Sequence, residues 1–389
     1  ARSSAAQTMF VAIGHETTQS GSCSMGRMQA GAPCHLPKRG TIAHAKYSLA
    51  PSAPRDGWNR RNIARTCSAK LVSRCTVSLS DRECTHFFTD NVERVAFVDG
   101  QTYDRYGDNL PECPAVLVGC ADTWAAIGWT AEVLASKGCS GDGFQVDGGP
   151  GFARQSMACA RVDMTAFAQY CANDGDGDDA PLYIFDPDLN TRLFADNTRM
   201  DEQFNVPECF SHDTMASITG SRFRPLPPAW LLIGPPRSGT PMHDHPHTAA
   251  WNTLLTGCKL WMAMPPWVDE ASLILGDDLE DEDEYDLEAF GWFLETGKRQ
   301  LPEGARTIVQ HPGETVFLPA GWWHVVLNVE ASTALSHSLA LRRDFATTWP
   351  PLLVEDEDFA MFWLNSLTED DRTHIDHIAL QKGICLEPK

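Results

Sequence analysis

Three histidines fall within five residues in the string Met242-His243-Asp244-His245-Pro246-His247. Another, His324, follows Gly321-Trp322-Trp323 at the start of an apolar run. A lone buried histidine is usually an ordinary core residue. A cluster with a distant partner on a strand points instead to a metal. Two imidazoles and one carboxylate on one face of a metal leave three positions open, the ligand set of non-haem Fe(II) oxygenases. The open face takes a cosubstrate and O2.

Lys259 lies sixteen residues after His243 and alternates with Trp261 and Ala263 along an apolar stretch. Side chains two apart share one face of a strand. A lysine on the same face as those two residues points inward, the alternative being a surface lysine on an edge strand. A buried charge without a partner costs several kcal/mol. An anionic ligand such as a dicarboxylate cosubstrate meets that need.

The elements that must position these groups are short strands. Ala229–Gly234 is an apolar strand closed by Pro235-Pro236. Asn252–Leu255, a Thr-Gly turn and Lys259–Met264 read as one hairpin. Glu314–Leu318, an Ala-Gly turn and Trp322–Val329 read as a second, with Ala334–Leu341 a further strand. Strands this short with turn residues between them predict an antiparallel barrel or double-sheet jelly roll. Upstream, Phe97–Asp99, Pro114–Gly119, Phe144–Val146 and Pro181–Phe185 read as strands. Tyr103–Tyr106, Trp124–Lys137 and Met164–Cys171 read as helices. The stretch from Pro350 to Lys389 carries Phe359, Met361, Phe362, Trp363 and Leu364, which predicts an apolar helix packing on the barrel or on a second subunit.

Charge divides the 389-residue chain unevenly. Residues 1–75 hold eleven Lys and Arg against Glu16 and Asp56, a net +9, so the overall −21 places −30 on the remainder. That acidity argues against a body that coats nucleic acid or an anionic membrane. No apolar run of 18 residues is present, so the sequence predicts no transmembrane helix. Residues 277–288 carry nine acids and read as an exposed insertion, either a plain solubilising loop or a rim that attracts a basic protein or peptide segment. Thirteen cysteines without a CxxC pair read as reduced thiols of an intracellular protein, in the nucleus or cytoplasm. The basic, Ser-rich head has the composition of an organellar transit segment, of a basic arm or of a plain tail.

Beside these readings stands a resemblance. Pro235-Pro236-Arg237-Ser238-Gly239-Thr240, Ala250-Trp251-Asn252, Lys259, Pro312–Pro319 and Gly321–Asn328 are similar to the JmjC family. More narrowly they resemble its branch of bifunctional arginine demethylases and lysyl-hydroxylases. Pro181–Asp186 is a matching upstream stretch. The resemblance implies a mainly β fold with flanking helices, the double-stranded β-helix of the cupin/JmjC jelly roll. It also implies Fe(II)- and 2-oxoglutarate-dependent hydroxylation or N-demethylation of a protein side chain, Lys or Arg in a basic segment. His324 becomes the distal iron ligand. Lys259 holds the far carboxylate of 2-oxoglutarate, Tyr183 caps it, and Thr240, Asn252 and Ser336 add hydrogen bonds.

The sequence departs from the family at the metal. The family has His-x-Asp-Pro, then two residues and Thr. Here the string is one residue shorter, His243-Asp244-His245-Pro246-His247-Thr248. Strand geometry puts His243 and His245 on one face. A bulge at the deletion aims His243 and Asp244 at one ion. Both sets stay open, beside a degraded site in a non-catalytic JmjC-like binding module. Ser338 stands where this branch tends to carry Asn, which bears on substrate choice. The expected organisation is a basic leader at 1–87, a JmjC-like domain at 88–349 with its core barrel over about 181–345, and a C-terminal helical segment at 350–389 that offers a homodimer contact.

Overall fold

The computed structural model describes residues 90–139, 143–147, 161–173, 181–225, 228–273, 289–296 and 301–386. The basic leader at 1–87 and the acidic insertion at 277–288 lie outside the described residues. In chain order the first half holds strands β1 (Arg94–Ala96) and β2 (Ala115–Val118), helix α1 (Ala131–Ser136), β3 (Phe144–Asp147), β4 (Arg161–Val162), α2 (Met164–Asn173) and β5 (Tyr183–Asp186). Strands β6 (Ala229–Gly234), β7 (Gly239–His243), β8 (Ala249–Thr256) and β9 (Lys259–Met264) follow. Next come helices α3 (Glu270–Leu273) and α4 (Ala289–Thr296). Strands β10 (Arg306–Gln310), β11 (Glu314–Leu318), β12 (Trp323–Asn328) and β13 (Ser332–Leu339) complete the sheets, and α5 (Arg342–Glu355), α6 (Glu357–Ser366) and α7 (Glu369–Lys382) end the chain.

Two sheets face each other. One runs β1-β2-β11-β8-β13-β6-β5-β3-β4, the other β10-β9-β12-β7. Between them lie Trp261, Ala263, Val316, Leu318, Trp322 and Val326, the apolar filling of a jelly roll. The two expected hairpins do not form. Strand β8 pairs with β11 and β13, whereas β9 pairs with β10 and β12. Strands β11 and β12 likewise belong to opposite sheets. Each turn carries the chain from one sheet to the other, so sequence neighbours become facing layers rather than paired strands. Gly257 permits the first crossing. Its φ is +86°, and a Cβ there would stand 2.2 Å from the Ala331 carbonyl oxygen.

Strand β9 is buried along its whole length. Lys259, Trp261 and Ala263 face the barrel interior. Leu260, Met262 and Met264 face outward and pack under Phe290, Trp292 and Phe293 of α4. The helix thus keeps water from the back of the strand that carries Lys259. A larger core on the outside of the nine-stranded sheet joins Trp251, Phe317 and Leu335 to Trp124, Trp129, Phe167 and Phe210.

Four local expectations change. The helix expected over Trp124–Lys137 begins only at Ala131, capped by Thr130, whose side chain accepts from Val133 N. Trp124 and Trp129 reach the core from turns instead, with Gly128 at φ +86° between them. Tyr103–Tyr106 is turn rather than helix, and the strand expected at Phe97–Asp99 lies at Arg94–Ala96. The C-terminal region is three helices around Phe345, Trp349, Trp363 and Ile375, and Pro350-Pro351 sit inside α5 rather than at a helix start.

Candidate metal centre

Pairing of β7 with β12 places His243 directly opposite His324. Gly239 allows that approach, since a Cβ on it would meet the Val326 carbonyl oxygen at 2.0 Å. The ring centroids of His243 and His324 are 4.0 Å apart. His245 lies two residues beyond His243, on the same side of the extended chain, with centroids 5.0 Å from His243 and 5.2 Å from His324. Its carbonyl oxygen accepts from Gly321 N at 2.8 Å, which ties the end of β7 to the turn leading into β12. One ligand nitrogen from each of the three histidines lies within 4.8 Å of the others. Asp244 stands between His243 and His245, and adjacent residues of an extended chain face opposite sides. It belongs neither to the cluster nor to the residues lining the cleft.

The tautomers follow from hydrogen bonds. His243 Nδ1 lies 2.8 Å from the Pro241 carbonyl oxygen, and His324 Nδ1 lies 3.0 Å from that of Trp322. A carbonyl only accepts, so each Nδ1 carries the proton and each Nε2 presents a lone pair. Burial pushes His243 down to about 4. Burial, with the neighbouring imidazoles adding to it, holds His245 and His324 well below the ordinary histidine value. Three neutral imidazoles converge, the form in which histidine binds metal.

Deeper in the same cleft sits Lys259, with no solvent exposure. Its Nζ donates to Asn328 Oδ1 at 2.7 Å and to the Tyr183 hydroxyl at 3.3 Å. Burial lowers its pKa to about 7. Asn328 is the residue paired with Lys259 across β9 and β12, and its Nδ2 donates to Ser238 Oγ at 2.8 Å. Thr240, Asn252, Tyr183 and Ser336 line the same cleft as Lys259, and of these Tyr183 touches the lysine. Asn252 Oδ1 is buried with no hydrogen-bond partner among the described residues. Ser336 Oγ donates to the Trp251 carbonyl at 3.2 Å.

Three positioning residues were not anticipated. Asn328 stands four residues after His324, on the same face of β12 by alternation, and that periodicity was available from the sequence. Trp261 stacks on His324 at 6.1 Å between centroids, and its Nε1 donates to Gln310 Oε1 at 2.8 Å. Gln310 is fully buried and donates to the carbonyls of Asn252 and Glu314. Its role depends on strands β9, β10 and β11 meeting, which no local signal reveals.

Residues 230–339 match the family profile described as JmjC domain, hydroxylase. The chain carries a JmjC domain. The matched span runs from β6 to the end of β13 and contains the three histidines, Lys259, Asn252 and Asn328; Tyr183 lies upstream of it. The chain is also similar to a bifunctional arginine demethylase and lysyl-hydroxylase of Caenorhabditis elegans, 28% identical over 84% of this chain and 77% of that protein. An arginine-specific demethylase of Arabidopsis thaliana is 29% identical over 65% of this chain and 47% of that protein. A 2-oxoglutarate and iron-dependent oxygenase of Homo sapiens is 26% identical over 39% of this chain and 36% of that protein. The JmjC jelly roll is thus the double-stranded β-helix that the strand pattern and the resemblance both anticipated.

Proposed function

We propose that this JmjC chain is an Fe(II)- and 2-oxoglutarate-dependent dioxygenase that hydroxylates or N-demethylates a Lys or Arg side chain of a protein substrate. The observation that carries the reading is the convergence, in one buried cleft, of three neutral imidazoles and a lysine with no solvent exposure. His243, His245 and His324 hold the iron through nitrogen lone pairs, two of them oriented by their own strands' carbonyls. Lys259 and the Tyr183 hydroxyl hold the far carboxylate of 2-oxoglutarate. Thr240 and Ser336 supply hydroxyls.

The residues fit that cosubstrate on two counts. A buried ammonium requires an anion, and the residues lining the cleft offer no carboxylate to meet it. Asn252 holds a buried, unpartnered amide oxygen; turned by 180°, the amide presents Nδ2–H to a carboxylate instead. Bound there, iron and 2-oxoglutarate supply the oxidation of a substrate C–H bond by O2, with succinate and CO2 as by-products. The chain's own task is to orient these ligands and to keep the cleft dry with Phe185, Trp230, Trp261, Val316 and Leu318.

The substrate segment is basic. Its support is the −30 carried by residues 76–389, including nine acids at 277–288, together with relatives whose names specify arginine and lysine. The same charge disfavours bare nucleic acid. Val354, Phe362 and Leu380 expose apolar side chains on the C-terminal helices, which supports a homodimer testable by sedimentation. Buried thiols at Cys120, Cys209 and Cys258 suit a reducing compartment, the nucleus or cytoplasm. Among the described residues no helix is long and apolar enough to cross a membrane.

The test is incubation of purified protein with Fe(II), 2-oxoglutarate, ascorbate and Lys/Arg-rich peptides, methylated and unmethylated. Succinate release stimulated by a peptide is expected, and formaldehyde separates demethylation from hydroxylation. Bound iron without succinate release for any peptide overturns the proposal.

A further inference from the structure

The described residues lining the cleft supply no negative charge to a divalent ion. The three imidazoles can supply no negative charge, Lys259 is a potential cation, and no Asp or Glu is among the described residues that line the cleft. Asp244, the nearest carboxylate in sequence, is not one of those lining residues. A divalent metal entering alone brings two positive charges into low-dielectric surroundings that already hold Lys259. Nothing in the lining offsets them, and uncompensated buried charge is strongly disfavoured. A ligand set with one carboxylate lowers the metal's charge from within the protein. This set does not, because His245 occupies the place where that carboxylate would stand.

We propose that the cosubstrate dicarboxylate supplies the negative charge that the protein withholds, so that metal and 2-oxoglutarate bind this site as an obligately coupled pair and neither is held tightly alone. This inference rests on the function proposed above and deepens it. Its physical content is a coupling free energy, and coupling is reciprocal: the factor by which the dianion strengthens the metal is the factor by which the metal strengthens the dianion. Chelation alone yields some coupling in any such site. The excess assigned here comes from the missing carboxylate, so restoring a carboxylate at position 245 must remove it. The consequence for the working protein is a metal occupancy that follows the supply of 2-oxo dicarboxylate.

The experiment uses the full chain and Mn(II), which probes binding without turnover. Free Mn(II) is measured by electron paramagnetic resonance in titrations with and without saturating 2-oxoglutarate, for the wild type, His245→Asp and His245→Glu. Circular dichroism reports whether each variant folds, and two carboxylate variants guard against the failure of one. The expected result has three parts. Mn(II) alone binds the carboxylate variants more tightly than the wild type. 2-Oxoglutarate strengthens Mn(II) binding to the wild type by about 100-fold, near the upper end of ordinary couplings. The same addition strengthens binding to the variants at least about tenfold less. Equal strengthening in wild type and variants overturns the inference and leaves the proposed function standing, as does tight binding of Mn(II) alone to the wild type. No Mn(II) uptake under any condition overturns both.

Discussion

Lys259 and Asn328 stand directly opposite each other on paired strands, and the ammonium donates to the amide oxygen at 2.7 Å. Asn328 is held in turn by Ser238, whose hydroxyl donates to the Pro235 carbonyl at 2.6 Å. The lysine is thus aimed by a chain of neutral groups that ends in the turn between β6 and β7. An amide can point the ammonium without neutralising it, which leaves the charge available for a ligand.

Replacing Asn328 by Leu removes that aim. Loss of a hydrogen bond to a buried charged group costs about 1–3 kcal/mol. The expected result is a 2-oxoglutarate KM raised roughly 5- to 150-fold, with a smaller change in metal affinity. An unchanged KM in a folded Asn328→Leu protein refutes this role.

The pH dependence of 2-oxoglutarate binding follows from Lys259. Burial lowers its pKa from 10.5 to about 7. Below that value the free protein already holds the ammonium that the dianion needs. Above it the amine is neutral, binding must take up a proton, and the affinity falls by up to about tenfold per pH unit. Calorimetry between pH 6 and 9 in buffers of different ionisation enthalpy should show a plateau below about pH 7 and proton uptake above it. A flat profile to pH 9 contradicts the assignment.

The ligand set is separable by substitution. His243→Ala, His245→Ala and His324→Ala each remove one of three ligand nitrogens, and Co(II) or Mn(II) affinity should drop by more than the about 10- to 100-fold typical of outer-shell changes. Asp244→Asn should change it by less than about threefold, because Asp244 lies outside the cluster. A large loss in Asp244→Asn with none in His245→Ala reverses the choice.

Gly239 tests the strand contact that brings His243 to His324. Gly239→Ala places a methyl 2.0 Å from the Val326 carbonyl oxygen. The overpacking should cost about 1–3 kcal/mol in denaturant unfolding. Metal affinity should fall with it, since β7 must shift away from β12. A stable variant with intact metal binding excludes this account.

Beside the barrel, Asp186 is fully buried and pairs with Arg192, which lies over the Phe144 ring at 3.8 Å. Arg192→Met strands that carboxylate, and a stability loss of about 3–5 kcal/mol is expected. Because β5 also carries Tyr183, thermal and denaturant unfolding should be read alongside 2-oxoglutarate binding. A loss below about 1 kcal/mol would show that water reaches Asp186.

Sequence alone determined six of the eight strands from 229 to 339 to within a few residues, because period-two alternation and Gly/Pro punctuation are local properties; β7, interrupted by Pro241, and β10 were not read as strands. The inward face of Lys259 was legible for the same reason: Trp261 and Ala263 share its side. The histidine string restricted the third ligand to Asp244 or His245, and alternation already favoured His245 over its neighbour. Pairing was not legible. The Thr256-Gly257 and Ala320-Gly321 turns look like hairpin turns, and only the stacking of two sheets shows that they carry the chain across the barrel. The apolar spacing of Trp124–Lys137 imitates a helix, yet Trp124 and Trp129 are drawn into the core from turns by Trp251, Phe204 and Phe194. Gln310, Ser238 and Asn328 acquire their roles only where strands far apart in sequence meet. The cleft's lack of a carboxylate is likewise tertiary: 52 acidic residues are plain in the sequence, but only the fold decides that none of the described ones lines the site, because burial of charge depends on which faces the sheets enclose.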